Sequence, residues 1–85
     1  MFLHLGSDWS VAMRDIISIH DYAIFAMDGN QAYLKQLEQQ GKVVNPLEKE
    51  PKSVVVTGDK VYFSAISALT LKRRAQLPFD IDEKY

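Results

Sequence analysis

Hydrophobic and polar residues alternate in several short stretches of the chain, a pattern that is typical of β-strands. In the N-terminal part the alternation predicts three strands, at residues 2–5, 9–13 and 16–21. Polar turns separate them, because the glycine, serine and aspartate at residues 6–8 have the backbone freedom and the short side chains that turns favour. Three short strands joined in this way predict an antiparallel meander.

The most regular pattern lies at residues 54–63, where two apolar runs flank the dipeptide Gly58-Asp59. A two-residue loop that begins with glycine favours a primed hairpin turn. Such a turn places Val54 opposite Phe63 and fixes the register of the whole hairpin. One face of the hairpin is then apolar and the other mixed, so we expect a sheet that buries one side and exposes the other to water.

One further segment shows the spacing of a helix rather than that of a strand. Tyr33 and Leu37 form part of a narrow apolar stripe within residues 31–40, and Gly41 is well placed to follow that helix in the left-handed conformation. Residues 22–27 show neither period, and we interpret them as an extended connection.

A second helix is predicted directly after the hairpin. Ser67 is a favourable N-cap residue. An apolar stripe follows at helical spacing, formed by Ala68, Leu71 and Ala75. We expect Pro78 to stop this helix near residue 76, so that residues 77–85 form a mobile tail.

Length and composition place these elements in a single domain. The 85 residues leave no room for two domains. We expect domain 1–85 to be α+β, an antiparallel sheet of about five strands with two short helices. The chain has no cysteine, which fits a reducing compartment, and no apolar run near the roughly 20 residues that span a bilayer. We therefore expect a cytoplasmic protein that does not insert into a membrane.

No constellation of residues points to catalysis or to a cofactor. His4 and His20 lie in predicted strands without a carboxylate at a recognisable spacing. The sequence has no glycine-rich phosphate loop, no nucleophile elbow and no zinc-type ligand set. Asp80, Asp82 and Glu83 lack the glycine and the later glutamate of a calcium loop. We expect a protein that is not an enzyme and has no catalytic residues, metal, cofactor or small-molecule substrate.

The charge pattern suggests a polyanion as the ligand, although the formal net charge is only −1. The second helix has three consecutive cations, of which Arg73 and Arg74 project away from the apolar stripe and Lys72 lies at its edge. Cations near the third strand and the hairpin could share one rim with them. Arginine forks suit phosphate, and the absence of an aromatic stacking ladder favours the backbone of duplex DNA. The candidate DNA-binding residues are Arg14, Lys49, Lys52, Lys72, Arg73 and Arg74. The alternative is a helix end whose cations are simply solvated.

Self-association is the second hypothesis for function. Val55 and Tyr62 lie on the mixed face of the predicted hairpin, and Leu69 lies outside the apolar stripe of its helix. Small domains with surplus apolar groups and sheet edges often pair with themselves or with a partner protein. The alternative is that the helix at residues 31–40 covers this surface within one chain, and the sequence leaves both open.

Three stretches of the sequence resemble a known family. They are HLG near the start, RDIISI in the predicted third strand, and PKSVVVT followed by TLKRRA in and after the hairpin. Together they resemble the RemA/RemB family of small bacterial regulators of extracellular matrix and biofilm formation, with a closer likeness to the RemB-like branch. The likeness runs over most of the chain and is weakest at residues 22–41.

The resemblance implies a cytoplasmic regulator that is not an enzyme, and in the RemA branch it implies a transcription factor. In the RemA branch it implies a ring-like homo-oligomer that binds double-stranded DNA through basic residues of several copies, since weak phosphate contacts become strong when repeated. RemA-like members have an arginine at the entry to the third strand, where this chain has Asp15 next to Arg14. They also have paired arginines before the hairpin, where this chain has Lys49 and Glu50. The acid in that loop opposes phosphate binding, so the cations at residues 72–74 would have to compensate.

Overall fold

The computed structural model describes residues 1–80, without the side chains of Asp28 and of residues 76–80. The fold is α+β, as predicted. The strands are β1 (Phe2–His4), β2 (Ser10–Ala12), β3 (Ile16–Asp21), β4 (Ser53–Thr57) and β5 (Val61–Ser64). The helices are α1 (Tyr22–Phe25), α2 (Gln31–Gln39) and α3 (Ala68–Asp80), with a 3₁₀ turn at Met13–Asp15 and a π-helical turn at Ala26–Asn30. Within the described residues, none of these helices has the length and apolar character needed to cross a membrane.

β4 lies at the centre of a three-stranded antiparallel sheet in the order β3–β4–β5. The predicted hairpin register is confirmed, since Val54 pairs with Phe63 and the neighbouring pairs follow in step. β3 lies on the other side of β4, with Ile19 opposite Val55 and a bulge around Ile17. The predicted meander is wrong, because the 3₁₀ turn after β2 redirects the chain and β3 pairs with the valine-rich strand β4 instead.

The turn between β4 and β5 has a different conformation from the one predicted. A primed turn that begins with glycine needs a positive φ at its first residue, and neither Gly58 nor Asp59 has one. The side chain of Thr57 closes the turn instead. Its Oγ1 accepts a hydrogen bond from the Lys60 N–H at 3.2 Å and donates one to the Lys60 carbonyl at 3.0 Å.

Both faces of the three-stranded sheet are covered. On one face α2 packs over a core of Leu34, Leu37, Val43, Val54, Val61 and Phe63. On the other face α3 and the separate β1–β2 sheet enclose Leu3, Leu5, Val11, Ile19, Val55, Ala68 and Leu71. The prediction of a sheet with one side in water is therefore wrong. The polar residues of the mixed face, Ser53, Thr57 and Ser64, are buried and form hydrogen bonds to backbone carbonyls.

The chain after β3 is helical, which corrects the prediction of an extended connection at residues 22–27. The Asp21 carboxylate accepts a hydrogen bond from the Ile24 N–H at 3.0 Å and so caps α1. The π-helical turn leads directly into α2, and its wider winding displaces side chains from the helical period that sequence analysis looks for. Gly41 follows α2 with a φ of 73°, which confirms its predicted left-handed conformation.

α3 begins as predicted, with the Ser67 Oγ accepting a hydrogen bond from the Thr70 N–H at 3.2 Å. Its buried stripe is also confirmed, since Leu71 has no exposed surface. The predicted stop at Pro78 is wrong, because α3 continues past it. A proline removes one intrahelical hydrogen bond, and the adjacent turns of α3 remain helical in spite of that loss. Of the predicted tail, residues 81–85 lie outside the described residues.

Candidate nucleic-acid interface

Two clefts flank Arg14 at the end of the molecule where β3 begins. The polar cleft, of about 710 Å³, lies between β2 and the β4–β5 turn, and its charged lining residues are Arg14, Asp15, Asp59 and Lys60. The apolar cleft, of about 470 Å³, lies between the N-terminus and α3 and is lined by Met1, Phe2, Ala12, Met13, Arg14, Ile16 and Ala75. Because Arg14 lines both clefts, it stands on the ridge between them.

The structure brings Arg14 near the basic turn of α3, which we define as residues 72–74. Arg14 is exposed in the 3₁₀ turn, which a hydrogen bond from the Met13 N–H to the Met1 carbonyl anchors at 2.9 Å. Ala75, which directly follows the basic turn in α3, lines the same apolar cleft as Arg14. All members of the basic turn are exposed: Lys72, Arg73 and Arg74. Cations from two separate elements therefore lie at one end of the molecule.

Lys49 and Lys52 lie at the opposite end of the three-stranded sheet. Lys52 directly precedes β4, and its N–H donates a hydrogen bond to the Ser64 carbonyl at 2.7 Å. β4 runs antiparallel to β3, so its first residue pairs with the last residue of β3 and its last residue with the first. A strand of this length spans about 16 Å. Within one copy, the structure therefore separates these lysines from Arg14.

The residues predicted for a protein interface have very different surroundings. Val55 has no exposed surface and belongs to the core beneath α3. Tyr62 is half-buried, lines the polar cleft and makes an edge-on contact with Trp9, with ring centroids 6.3 Å apart. Leu69 is 62% exposed on α3. Only Tyr62 and Leu69 can therefore reach another molecule without opening the core, and α3 rather than α2 covers Val55.

Sequence reasoning missed the apolar groups beside Arg14. Phe2 and Ile17 are 69% and 68% exposed, and both line the polar cleft. The available signal was the doublet Ile16-Ile17, which breaks the alternation at the start of β3 and is typical of a bulge.

The two clefts differ in the ligand that they suit. In the polar cleft Asp15 and Asp59 balance the two cations, so its field does not attract a polyanion. Among the described residues, Arg14 is the one charged side chain that lines the apolar cleft, and the basic turn of α3 directly precedes its lining residue Ala75. A phosphate backbone would therefore approach the α3 side of Arg14 rather than the β4–β5 turn.

The two histidines contact neighbouring serines and do not belong to a group of residues suited to catalysis or metal binding among the described residues. The Nε2 of His20 lies 2.9 Å from the Ser18 Oγ, and its ring centroid lies 4.9 Å from that of Phe25. The Nδ1 of His4 lies 3.4 Å from the Ser10 Oγ. In the part of the chain that the structure describes, His, Cys, Asp and Glu side chains form no group of three that could hold a metal ion.

Two comparisons with known proteins match most of the chain. The family model described as extracellular matrix regulatory protein A-like, or RemA-like, matches residues 2–75. The chain is also 43% identical over 82 residues to extracellular matrix regulatory protein B of Bacillus subtilis (strain 168), which covers 96% of this chain and 99% of that protein. The polar cleft, the basic turn of α3 and all lining residues of the apolar cleft except Met1 fall within the residues that the family model matches.

Proposed function

Since this chain belongs to the RemA-like family of extracellular matrix regulators and is RemB-like, we propose that it is a DNA-binding transcription regulator. It would act in the cytoplasm as a homo-oligomer, without catalysis, and its basic residues would contact the backbone of double-stranded DNA. The observation that supports this proposal best is that Arg14 and the C-terminal part of α3 border the same apolar cleft.

The geometry of the basic turn supports binding by more than one copy. Consecutive residues of a helix are rotated by about 100°, so Lys72, Arg73 and Arg74 fan out and cannot all reach one DNA strand. Each arginine can present parallel N–H groups to a phosphate. A single copy therefore offers few contacts, and the net charge of −1 adds no general attraction. Several copies on one duplex would multiply these contacts.

Lys49 and Lys52 enter this proposal only through the assembly. They lie at the end of the sheet remote from Arg14, so they would extend its positive surface only when a neighbouring copy brings its own lysines there. A closed, ring-like assembly is one way to repeat such a junction with every copy in the same surroundings.

A triple substitution in the basic turn tests the proposal. Lys72→Ala/Arg73→Ala/Arg74→Ala changes exposed side chains only, so we expect the fold to persist. In a low-salt gel-shift assay, DNA affinity should fall at least about tenfold, because the phosphate contacts are lost. The slope of log affinity against log salt should become shallower by about one for each lost contact.

The matched control removes cations from the other side of the sheet. Lys35 and Lys42 are exposed on and just after α2, so Lys35→Ala/Lys42→Ala should leave DNA affinity nearly unchanged. A folded triple variant that binds DNA as tightly as the parent protein would remove the basic turn from the proposal. If the triple variant and the control lose equal DNA affinity, the effect comes from net charge and not from the position of the cations.

A protein-interaction module that does not touch DNA is the alternative function. Leu69 lies one helical turn before Arg73 on α3 and is 62% exposed, so that side of α3 offers an apolar contact beside its cations. A defined oligomer or a bound partner protein, with no retardation of DNA at low salt, would favour this alternative. Retarded DNA with a steep salt dependence would favour the regulator.

A further inference from the structure

We propose that the open edge of β2 pairs with the same edge of a second copy, so that the β1–β2 sheets of two copies join into one antiparallel sheet. This inference rests on the proposed homo-oligomer, and it names the surface by which two copies meet.

The pairing of β1 with β2 determines which backbone groups of β2 point outward. The Met13 N–H donates to the Met1 carbonyl at 2.9 Å, so these residues form a hydrogen-bonded pair. Antiparallel strands alternate between bonded and non-bonded pairs, which makes the next pair, Ala12 with Phe2, a non-bonded one. Both backbone groups of Ser10 and the N–H of Ala12 therefore point away from β1, while the Ala12 carbonyl, at the N-cap of the 3₁₀ turn, accepts the first hydrogen bond of that turn.

Among the described residues, none forms a backbone hydrogen bond with these outward groups, which border a cleft. Ser10 and Ala12 both line the polar cleft, whose other wall is the β4–β5 turn. Their small side chains leave the backbone open to approach. An edge strand with free N–H and carbonyl groups is a template for a further strand.

A second copy of β2 fits this edge by symmetry. In an antiparallel pairing with a two-fold axis at Val11, Ser10 of one copy faces Ala12 of the other. The Ala12 N–H of each copy then meets the Ser10 carbonyl of the other copy, which gives two hydrogen bonds across the axis. A shift by one residue would instead oppose outward-pointing groups to inward-pointing ones.

The charges beside the edge also fit a copy of the same surface. Arg14 and Lys60 are accompanied by Asp15 and Asp59 in the polar cleft. Across a two-fold axis each cation can meet a carboxylate of the other copy, so the patch is complementary to itself. An anionic ligand would find no such match there, because the carboxylates would repel it.

The strands alone give too little contact for a stable pair. β2 has three residues, whereas a specific interface usually buries more than about 1,000 Å². Phe2 and Ile17 lie beside the edge and are 69% and 68% exposed. Their partial burial between two copies would supply apolar area that strand pairing lacks.

Ala12→Pro tests the pairing without disturbing the single chain. Ala12 has a φ of −63°, the value that a proline ring requires, and the preceding Val11 lies in a strand, which proline tolerates. The substitution removes the outward N–H and places a ring at the edge. We expect an unchanged circular dichroism spectrum and a solution mass, by light scattering, of half the parent value or less. An unchanged mass, or a parent protein that is monomeric, overturns the inference.

A disulfide test is clean because the chain has no natural cysteine. Val11 is buried in the core, so the linkage uses Ser10 and Ala12, which face each other across the axis with Cβ atoms about 4.5–5.5 Å apart. We expect Ser10→Cys/Ala12→Cys to give a covalent dimer on mild oxidation. The control, Ala65→Cys, is exposed in the β5–α3 connection and should remain unlinked. Equal linking of both variants, or of the control alone, contradicts the pairing.

Failure of this inference is distinguishable from failure of the DNA proposal. Ala12→Pro leaves Arg14 and the basic turn of α3 unchanged. An unaltered solution mass of this variant would therefore overturn the β2 pairing without affecting the DNA proposal, which the triple variant tests separately. A triple variant with full DNA affinity would overturn the DNA contacts, while a lower mass for Ala12→Pro would still support the pairing.

Discussion

The two ends of the β3–β4–β5 sheet use their polar residues in opposite ways. At the end where β4 begins, the Ser53 Oγ donates a hydrogen bond to the Ile66 carbonyl and the Ser64 Oγ donates one to the Leu5 carbonyl, both at 2.7 Å. At the end where β4 finishes, Arg14 and the β4–β5 turn are exposed beside the two clefts. We call these the closed end and the open end.

The difference shows that the side chains that stabilise this small domain and those available for binding lie at different ends of the sheet. At the closed end, short hydroxyl and amide side chains are buried, and among the described residues no buried side-chain nitrogen or oxygen lacks a hydrogen-bond partner. Removing such a partner leaves a backbone group unpaired in the core, which is costly. At the open end, charged side chains extend into water and their removal costs the fold little. Substitutions should therefore change stability at one end and binding at the other.

The largest loss of stability is expected from Asn45→Ala, at the closed end. The Asn45 side chain is 8% exposed, and its amide donates to the Phe63 carbonyl and accepts from the Phe63 N–H, both at 2.8 Å. The Asn45 side chain thus forms the two hydrogen bonds that a neighbouring strand would form with Phe63 at the edge of β5. Losing both bonds should lower the free energy of unfolding by about 3 kcal/mol, measured by urea denaturation.

Asn30→Ala is the matched control for this change. The Asn30 amide donates a single hydrogen bond to the Phe25 carbonyl at 3.1 Å in a partly buried position, so we expect a loss of about 1 kcal/mol or less. Comparable losses for both asparagines would contradict the bridging role of Asn45 at the edge of β5.

Ser64→Ala should have the next largest effect. The Ser64 hydroxyl is fully buried, donates to the Leu5 carbonyl at 2.7 Å and accepts from the Ile66 N–H at 3.0 Å. Alanine leaves both backbone groups without this partner, and we expect a loss of about 2 kcal/mol in thermal or chemical unfolding. Ser10→Ala removes an exposed hydroxyl near the open end and should change stability by less than about 0.5 kcal/mol. If the two variants lose equal stability, the contrast between the ends is wrong.

How much the sequence predicts differs between local and remote contacts. The register of the hairpin follows from the spacing around Gly58-Asp59, because the two strands are adjacent in the chain. The burial of Ser53 and Ser64 does not follow, because it depends on α3 and β1 packing over that face. A polar residue in an alternating strand is normally interpreted as exposed, so the pattern predicts a solvated face where the structure has a covered one.

The candidate site divides in the same way. The exposure of Arg73 follows from the helical period of α3 around the buried Leu71, which is local information. That Arg14 borders the same cleft as Ala75, and that Lys52 lies at the opposite end, depends on how remote segments pack. Residue spacing alone therefore identifies exposed cations but does not indicate which of them lie together.

The smallest effect is expected from Gly58→Ala, at the open end. A Cβ at this position would meet no other atom within 4 Å, and the φ of Gly58 is not positive, so alanine fits the turn that Thr57 closes. Stability should change by less than about 0.5 kcal/mol or rise slightly, because alanine restricts the unfolded chain. Gly6→Ala is the control, since Gly6 has a φ of 94° and should lose about 1 kcal/mol or more. A primed turn would make both glycines equally intolerant of alanine, so equal losses in thermal unfolding would restore the turn that glycine-first spacing predicts and reject the threonine-closed one.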